Sequence, residues 1–444
     1  MTREFKKCGN INIPLNWEYR PIKTIIRGIS DGTHGTFERV RDGYPLLSAK
    51  NVFDDGIHIG DNESQISEEA FNEITANGYP HKDDILLCCV GTIGRSTIYP
   101  YEKPMAFQRS VIFLTLNQNL MLPEMMHYLL MSDDVKAQEN NLINQSAQAG
   151  LYQGSVKQIR VVVPPLTEQK EIIRFLNSSC HRIDNAISLH QQIIEKLEEY
   201  RKSVITQAVT KGLDPNAEMK NTGNQWIPEV PCIWNVVQMK YVLLSGKEGL
   251  KIGPFGSALK GKTLADGPYK IYNQAHLISG DFTLNRHFVS AETFEELQNY
   301  EVKPGDILFS MMGTIGKCRI MPTGFQRGLM DSHLLKGRLN HLIDPEYLLY
   351  VYDKDNSSLV INQLLKLSTG SIMNGLNSSI LKNIVIPLPP IDVQKQIVAK
   401  LNEHTHTIDM AIAQHQLLIE KLREYKQSLI YNAVTGKIDR REVE

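Results

Sequence analysis

The sequence predicts two mixed α/β domains in tandem, separated by two long helices that form an antiparallel coiled coil, with pseudo-two-fold symmetry. The main observation is an internal repeat: residues 164–214 match residues 389–439 without a gap, with 26 identities in 51 positions. Apolar residues recur every seven positions in both copies, which is typical of a coiled coil. Fainter matches precede each copy, such as residues 91–95 with 313–317. The chain is therefore predicted to run domain, helix, domain, helix.

The bulk composition is that of an ordinary globular protein. The chain has 444 residues, of which 42% are hydrophobic and 22% charged, which allows two to four separate cores. No apolar run approaches the ~18 residues of a membrane span, and the N-terminus lacks the apolar segment of a signal peptide. We therefore expect a cytoplasmic protein without membrane contact.

The cysteines do not suggest a metal site. No CxxC pair is present, so a zinc site is disfavoured and the thiols are expected to be buried and free. The six cysteines are Cys8, Cys88, Cys89, Cys180, Cys232 and Cys318.

The two long helices have recognisable ends. The first is predicted to begin at Thr167, as an N-cap after two prolines, and to end near Thr210; the second is predicted to run from Asp392 to near Thr435. Each helix would span about 65 Å. Since neither could bury its apolar stripe alone, we expect them to pack on each other. Parallel pairing remains open, although repeats joined through a whole domain favour the antiparallel case.

The heptad positions define a predicted seam between the helices. His190 and His415 occupy equivalent positions in it, where a polar group either fixes the register or is a partly solvated spacer. The seam consists of Leu176, Ile183, Ile187, His190, Ile194, Leu197 and Val204 in the first copy, and Leu401, Ile408, Ile412, His415, Ile419, Leu422 and Leu429 in the second.

Four segments follow from this organisation. Domain 1 is assigned to residues 1–165, the first helix to 166–214, domain 2 to 215–388 and the second helix to 389–444. Short apolar runs at 85–90, 111–116 and 307–312 predict strands, and residues 123–131 and 345–352 predict helices.

No catalytic constellation is present, so the chain is predicted to be non-catalytic and to hold no cofactor or metal. There is no P-loop, HExxH, GxSxG or GxGxxG sequence. The Asp31–His34 pair has no counterpart in the second domain. A nuclease would need clustered carboxylates, and the adjacent pair at 83–84 loses one of them at the matching position, 305–306.

Two short motifs are candidate nucleic-acid contacts because they occur in both domains. Gly-Thr-Ile-Gly precedes Arg95 and Lys317, and such a turn beside a basic residue can hold a phosphate; a plain hairpin turn is the alternative. Gln-Arg occurs at 108–109 and 326–327, and these side chains can pair with adenine and guanine in a major groove; a surface pair at a strand end is the alternative.

Loop residues complete the candidate interface. A strip of lysines at 247, 251, 260, 262 and 270 faces either phosphates or only solvent. The loops at 27–41 and 251–262 differ between the domains, as two domains that recognise different sequences require. The candidate DNA-contacting residues are Arg27, Thr33, His34, Arg39, Arg41, Lys50, Arg95, Gln108, Arg109, Lys251, Ser257, Lys260, Lys262, Gln274, Lys317, Gln326 and Arg327.

Several segments of the chain together match a known family: Pro164-Pro165-Leu166-Thr167-Glu168-Gln169-Lys170 with Ile172, Glu195-Lys196-Leu197, their copies Pro389-Pro390, Gln394-Lys395 and Glu420-Lys421-Leu422, and the segments Asp31-Gly32-Thr33-His34, Gly253-Pro254-Phe255-Gly256-Ser257 and Gly313-Thr314-Ile315-Gly316-Lys317. In these segments the chain resembles the specificity subunit of type I restriction-modification systems. The second copy departs from the pattern, because Val393 stands there in the place of Glu168.

This resemblance implies a function and a set of partners. Each domain would be a target recognition domain for one half of a bipartite, asymmetric site in double-stranded DNA, and the coiled coil would set the spacer. Two modification subunits that hold S-adenosylmethionine would methylate a flipped adenine in each half-site, and restriction subunits that use ATP and Mg would join them. The net charge of −1 suggests weak DNA binding by the chain alone. The alternative is a scaffold with two protein- or ligand-binding domains and no nucleic acid.

Overall fold

The chain divides into two compact units, each of which contains one domain and half of each long helix. The computed structural model describes residues 4–143, 149–254, 256–284, 287–311, 315–353, 355, 359–368 and 376–438. The first unit comprises residues 1–190 and 417–444, and the second comprises residues 191–416. The predicted division into four segments remains a prediction. Within the described residues, no helix combines the length and hydropathy that a bilayer crossing needs.

In the part of the first domain that the structure describes, short strands are combined with four short α-helices. Its strands are β1 (Phe5–Cys8), β2 (Ile11–Pro14), β3 (Glu18–Pro21), β4 (Ile26–Asp31), β5 (Tyr44–Leu47), β6 (Val52–Phe53), β7 (Gly56–Ile57), β8 (Gln65–Ile66), β9 (Ile85–Cys88), β10 (Ser96–Ile98), β11 (Ala106–Phe107), β12 (Val111–Leu116) and β13 (Arg160–Val163). Its helices are α1 (Glu68–Ala76), α2 (Pro123–Met131), α3 (Asp133–Leu142) and α4 (Gln153–Val156), and the long helix α5 (Leu166–Lys211) follows.

The second domain has nearly the same element order. Its strands are β14 (Met219–Asn221), β15 (Glu229–Pro231), β16 (Asn235–Gln238), β17 (Leu250–Ile252), β18 (Tyr269–Tyr272), β19 (Phe288–Val289), β20 (Glu301–Val302), β21 (Ile307–Ser310), β22 (Cys318–Ile320), β23 (Gly328–Met330), β24 (Leu334–Gly337) and β25 (Val385–Leu388). Its helices are α6 (Gly256–Leu259), α7 (Gln274–Ser279), α8 (Ala291–Glu296), α9 (Pro345–Tyr352), α10 (Leu359–Ser368) and α11 (Ser378–Asn383), and the long helix α12 (Ile391–Val434) follows.

Both domains are built on the same pair of sheets. The main sheet is antiparallel, with the order β10-β9-β12-β4 in the first domain and β22-β21-β24-β17 in the second. A second sheet contains one parallel pair, β5 with β11 in the first domain and β18 with β23 in the second; it has three strands in the first domain and four in the second. The central strands β9 and β21 are buried on both faces, as their uninterrupted apolar sequences require.

The predicted bounds of the short strands and helices within the domains were mostly accurate. Helices α2 and α9 have the predicted bounds, as does strand β12, and strands β9 and β21 end two residues before the predicted limit. The proline at the start of each helix is favourable there, because its missing N–H would have no intrahelical partner.

The predicted N-caps of the long helices were wrong. Helix α5 begins at Leu166 and α12 at Ile391, so the two predicted caps lie inside the first turn. The backbone N–H of Gln169 donates to the carbonyl of Pro165 at 2.9 Å, and that of Gln394 to Pro390 at 3.0 Å. A proline carbonyl accepts the first helical bond as well as any other, so the helix begins directly behind the second proline.

The C-terminal ends behave as predicted. Gly212 follows α5 with φ +80° and Gly436 follows α12 closely with φ +75°, a left-handed conformation that favours glycine and ends a helix.

The two long helices pair in the antiparallel direction. In the first unit, Leu176 and Ile183 near the start of α5 share a core with Leu429 and Val434 near the end of α12. In the second unit, Ile205 and Val209 near the end of α5 share a core with residues 397–401 near the start of α12. The parallel alternative is therefore excluded.

The fourteen predicted seam residues are all buried or half-buried. Further residues near the helix ends are buried as well, including Ile172, Cys180, Ile205, Ile397 and Ile430. They face a domain rather than only the partner helix, so the buried face is wider than a heptad stripe.

The cysteine prediction was correct for Cys88, Cys89, Cys180 and Cys318, which are buried and free, but Cys232 is exposed. Cys232 lies in the turn between β15 and β16, outside both sheets.

Candidate nucleic-acid interface

In the first domain, the structure brings two of the sequence-predicted segments together. The loop after β4 runs beside the Gln108-Arg109 segment: the N–H of Thr33 donates to Phe107 at 2.8 Å, and the N–H of Arg109 donates to Thr33 at 3.0 Å. Gly32 permits this approach, because a Cβ on it would overlap the carbonyl oxygens of Phe107 and Gln108. Thr33, His34, Gln108 and Arg109 therefore lie side by side, with the His34 and Arg109 side chains exposed.

A carboxylate organises this loop. Asp31 Oδ2 is 2.9 Å from His34 Nε2, and Asp31 Oδ1 accepts a hydrogen bond from Gln153 Nε2 at 2.7 Å. Gln153 could not be found from the sequence, because it is 122 residues from its partner Asp31. Because the carboxylate is shared between a histidine and an amide, the arrangement positions the loop.

The remaining basic candidate residues of the first domain differ in their exposure and in their bonding partners. Arg39 and Arg41 are exposed in the same loop. Arg27 is exposed, and its guanidinium is 3.4 Å from Asn117 Oδ1. Lys50 pairs with Glu63 at 2.7 Å; burial alone would raise the pKa of Glu63, but hydrogen bonds from Lys50 and Asn51 hold it below its ordinary value.

The first Gly-Thr-Ile-Gly sequence forms the hairpin turn between β9 and β10. Gly91 and Gly94 have φ +81° and +82°, and the N–H of Gly94 donates back to the carbonyl of Cys88 at 2.9 Å. Arg95 is half-buried, donates to the Val52 carbonyl at 3.2 Å and stacks on Phe53. The turn thus uses some of its hydrogen-bond donors within the domain, as a plain hairpin turn would. Its contact with a phosphate remains a prediction.

The second Gly-Thr-Ile-Gly sequence differs. Residues 313 and 314 lie outside the described residues. Lys317 is only 8% exposed and pairs with Asp355, with Asp353 3.9 Å away. Its charge is therefore balanced within the domain, which weakens the case for a phosphate contact, although that prediction is untested.

The two Gln-Arg pairs do not occupy equivalent places. Residues 108–110 join β11 to β12, whereas Gln326 and Arg327 precede β23; the segment that joins β23 to β24 is 331–333. Gly253 confirms this alignment, because its missing Cβ leaves room for the carbonyl of Asp331, just as Gly32 does beside Gln108. Equivalent residues of the two domains differ in number by about 222, as the starts of α2 and α9 do. The two Gln-Arg pairs differ by 218, and this discrepancy was the sequence signal that they are not equivalent.

The residues at the matching place in the second domain are Asp331, Ser332 and His333. The N–H of His333 donates to Asp331 Oδ1 at 2.9 Å, and His333 Nδ1 is 3.3 Å from Asp331 Oδ2. Burial raises the pKa of Asp331 despite these hydrogen bonds. The exposed His333 ring thus lies in the segment that corresponds to residues 108–110 of the first domain.

Gln326 and Arg327 are bonded within their own domain. The Gln326 amide donates to the carbonyls of Gly267 and Pro268 at 3.0 and 2.9 Å. The Arg327 guanidinium is 2.8 Å from Glu301 Oε1 and lies over the Phe294 ring at 5.1 Å. Both remain accessible, but neither side chain is held ready for a base edge.

The predicted lysine strip is interrupted. Lys270 is 3% exposed and donates to the Phe282 carbonyl at 2.7 Å, because β18 is an internal strand of its sheet. Both alternatives, a phosphate contact and a solvated loop, were therefore wrong for Lys270. Lys251 lies over the Tyr300 ring, Lys262 pairs with Glu296 at 2.6 Å, and Lys260 is exposed. Gln274 donates to Ser310 at 3.0 Å. The side chains of Lys247 and Ser257 lie outside the described part of the chain.

The described residues contain no group of three or more His, Cys, Asp or Glu side chains arranged to hold a metal ion. Asp84, the candidate carboxylate of a nuclease, is 4% exposed and accepts the N–H of His81 at 2.8 Å, so it caps a turn. Residues 32–34, 108–110 and 331–333 lie in loops between strands of the two sheets, and such loops commonly carry binding residues.

Comparison with known proteins agrees with this geometry. The family model "Type I restriction modification DNA specificity domain" matches residues 32–199 and 246–420. A putative MjaX specificity subunit of Methanocaldococcus jannaschii is 25% identical over 98% of this chain and 96% of its own, and the EcoKI specificity subunit of Escherichia coli K12 is 21% identical over 96% and 90%.

Solved structures show the same fold. A chain from a study of complex assembly and conformational transition of the type I R-M system superposes with a TM-score of 0.68 at 15% identity, over 96% of this chain and 99% of that one. The HsdS subunit of Thermoanaerobacter tengcongensis gives a TM-score of 0.51 at 16% identity, over 97% and 99%. Since the family model covers most of the sequence and matches both domains, this chain belongs to the type I restriction-modification DNA specificity family.

Proposed function

We propose that this chain is the specificity subunit of a type I restriction-modification complex and that each domain recognises one half of a bipartite DNA target. The observation that carries the proposal is the pair of equivalent segments described above. One sheet scaffold occurs twice, and at the same place it presents Gln108 and Arg109 in one domain and residues 331–333 in the other. Different side chains on one scaffold are what two unlike half-sites require.

The chemistry of these segments suits base edges and phosphates. An exposed arginine such as Arg109 can make bidentate bonds to guanine, and His333 can donate to an acceptor on a base. Arg39 and Arg41 in the neighbouring loop can contact phosphates, which position a protein on the duplex without reading sequence. The first domain is therefore expected to contribute more of the electrostatic affinity at this place.

The chain is proposed to act without catalysis of its own. Two modification subunits would bring S-adenosylmethionine and carry out methylation, restriction subunits would bring ATP and Mg, and the complex would act in the cytoplasm. The names of the relatives, which are type I restriction enzyme specificity subunits, support this division of labour. A net charge of −1 supports it too, because a chain that binds many phosphates alone usually carries excess positive charge.

The test is to co-express the chain with a modification subunit and map methylated adenines by sequencing. We expect two short half-sites at a constant spacing. Arg109→Ala should relax the first half-site alone and His333→Ala the second alone, whereas Arg174→Ala, an exposed residue of α5, should change neither. A single substitution that altered both half-sites would contradict one domain per half-site.

A binding experiment separates this function from the scaffold alternative. Mobility shifts with target DNA at several salt concentrations should show weak, strongly salt-dependent binding by the chain alone and tighter binding by the complex. If the isolated chain bound as tightly as the complex, the proposed dependence on partners would be wrong. If neither bound DNA, the scaffold without nucleic acid would be favoured.

A further inference from the structure

A fully buried glutamine attaches the first long helix to its domain. Gln169, in the first turn of α5, has no exposed surface. Its amide nitrogen donates to the carbonyls of Leu120 and Pro164 at 2.7 and 2.8 Å, and its amide oxygen accepts the N–H of Leu122 at 2.9 Å. Both amide hydrogens are therefore used, and two of the three bonds reach the loop that precedes α2.

The same attachment occurs in the second unit. Gln394, in the first turn of α12, is also fully buried. It donates to the carbonyls of Leu342 and Pro389 at 2.9 and 2.8 Å and accepts the N–H of Asp344 at 2.7 Å. The loop involved precedes α9, the counterpart of α2. Two domains with different recognition segments thus share one attachment.

A second polar contact lies eight residues further along each helix. The hydroxyl of Tyr128 in α2 donates to Asn177 Oδ1 at 2.7 Å. In the second unit, Tyr350 in α9 donates to Asn402 Oδ1 at 2.6 Å. Each domain helix is therefore attached to its long helix at the loop before it and at its own second turn.

Two directional contacts restrict motion that apolar packing alone allows. Eight residues span about 12 Å along a helix, so the two attachments together oppose both rotation and sliding of the domain. Apolar contacts are non-directional and tolerate small shifts. A shift here would leave a buried amide and three backbone groups without partners, which is unfavourable.

We propose that Gln169 with Asn177, and Gln394 with Asn402, are positioning residues that hold each recognition domain in one orientation on its helix and so restrict the spacer that the protein accepts. This inference rests on the proposed function. The half-site sequences would be set by the loops, and the tolerance for spacer length by these attachments.

The experiment uses the full chain with its modification subunit. The variants are Gln169→Leu with Gln394→Leu, and the milder Tyr128→Phe with Tyr350→Phe, which removes only hydroxyl groups. Gln396→Leu is the matched control, because Gln396 lies on the same helix two residues beyond Gln394 and is exposed.

Methylation sequencing should find unchanged half-sites in both pairs of variants. The ratio of methylation at spacers one base pair longer or shorter to that at the wild-type spacer should rise about fivefold per lost hydrogen bond. Hydrogen exchange of the Leu122 and Asp344 amides should become faster in the glutamine variants only. A merely structural role would lower methylation at all spacers equally.

An unchanged spacer ratio in folded variants, or altered half-sites, would overturn the proposal. If the glutamine variants do not fold, the tyrosine variants decide the matter by the same ratio. If the wild-type complex methylates no bipartite site, the proposed function fails instead, and the exchange rates still report whether the attachments hold the loops.

Discussion

Shortening both long helices by one heptad tests whether the coiled coil sets the spacer. The deletion removes residues 187–193 from α5 and the repeat-equivalent residues 412–418 from α12. Both segments lie between two ion pairs, Asp184 with Lys426 at 2.7 Å and Arg201 with Asp409 at 3.2 Å. These anchors are 17 residues apart on α5 (201 − 184) and 17 on α12 (426 − 409), so equal deletions preserve both pairs.

The magnitude follows from helix geometry. Seven residues make two turns of a coiled-coil helix, so the remaining side chains keep their faces. The helices shorten by about 10 Å, which corresponds to about 3 base pairs of DNA. Three base pairs also rotate the duplex by roughly 100°, so a target shortened by that amount presents its half-sites on different sides. We expect methylation of the wild-type target to fall more than about tenfold, a loss of over about 1.4 kcal/mol.

The assay is methylation sequencing in cells that express the shortened chain with its modification subunit. Any remaining sites should have shorter spacers and unchanged half-sites. Deletion of residues 187–193 alone is the control, because it shifts the register of one helix, separates the ion pairs and should lower the thermal midpoint. Full methylation at the original spacer by a folded double deletion would refute the idea that the coiled coil sets the spacer. Altered half-sites with the original spacer would do the same.

Three further predictions concern the first unit. Gly94→Ala should destabilise it by about 3 kcal/mol, because φ is +82° and the new Cβ would meet a buried carboxylate of α3. In the control, Gly91→Ala at φ +81°, the new Cβ meets nothing, so the cost should be only about 1 kcal/mol. Chemical denaturation would measure both values. Glu168→Val removes the acceptor 3.0 Å from the buried Trp17 indole and should cost about 1–3 kcal/mol; an unchanged thermal midpoint would contradict this. Burial holds the pKa of His127 below its ordinary value. As the pH falls below about 6.5, the unfolded chain therefore binds the proton before the folded chain does, and stability is lost. His127→Gln should flatten that part of the curve of stability against pH.

The long helices and the domain order could be predicted from the sequence because they depend on local patterns. Two prolines, a heptad repeat and a glycine define each helix to within a few residues, and a two-fold repeat supplies an internal check. The exact start was missed because the carbonyl of Pro165 accepts the first helical bond, a role that leaves no mark in side-chain chemistry.

The proposed recognition segments were harder to predict because they depend on contacts between distant residues. The Gln-Arg dipeptide drew attention at 326–327, yet those side chains bond to Glu301 and to the carbonyls of Gly267 and Pro268. In the first domain, the position of residues 108–110 is defined by backbone hydrogen bonds to the loop after β4, which join residues about 75 positions apart in the sequence. A repeated dipeptide is therefore weaker evidence than a constant offset between repeats.

The two domains share the same attachments to their helices but differ in the proposed recognition segments, and this contrast suggests how such a protein can change its target. The Gln169 and Gln394 attachments involve mainly backbone groups of the domains, so they place few demands on domain sequence. The segments at 108–110 and 331–333 occupy equivalent places yet offer a guanidinium in one domain and an imidazole in the other. A domain could therefore acquire a new segment without losing its position on the helix. Exchanging only residues 108–110 for 331–333 should then alter the first half-site while leaving the spacer unchanged, which methylation sequencing would reveal; a changed spacer would mean that recognition and positioning are coupled.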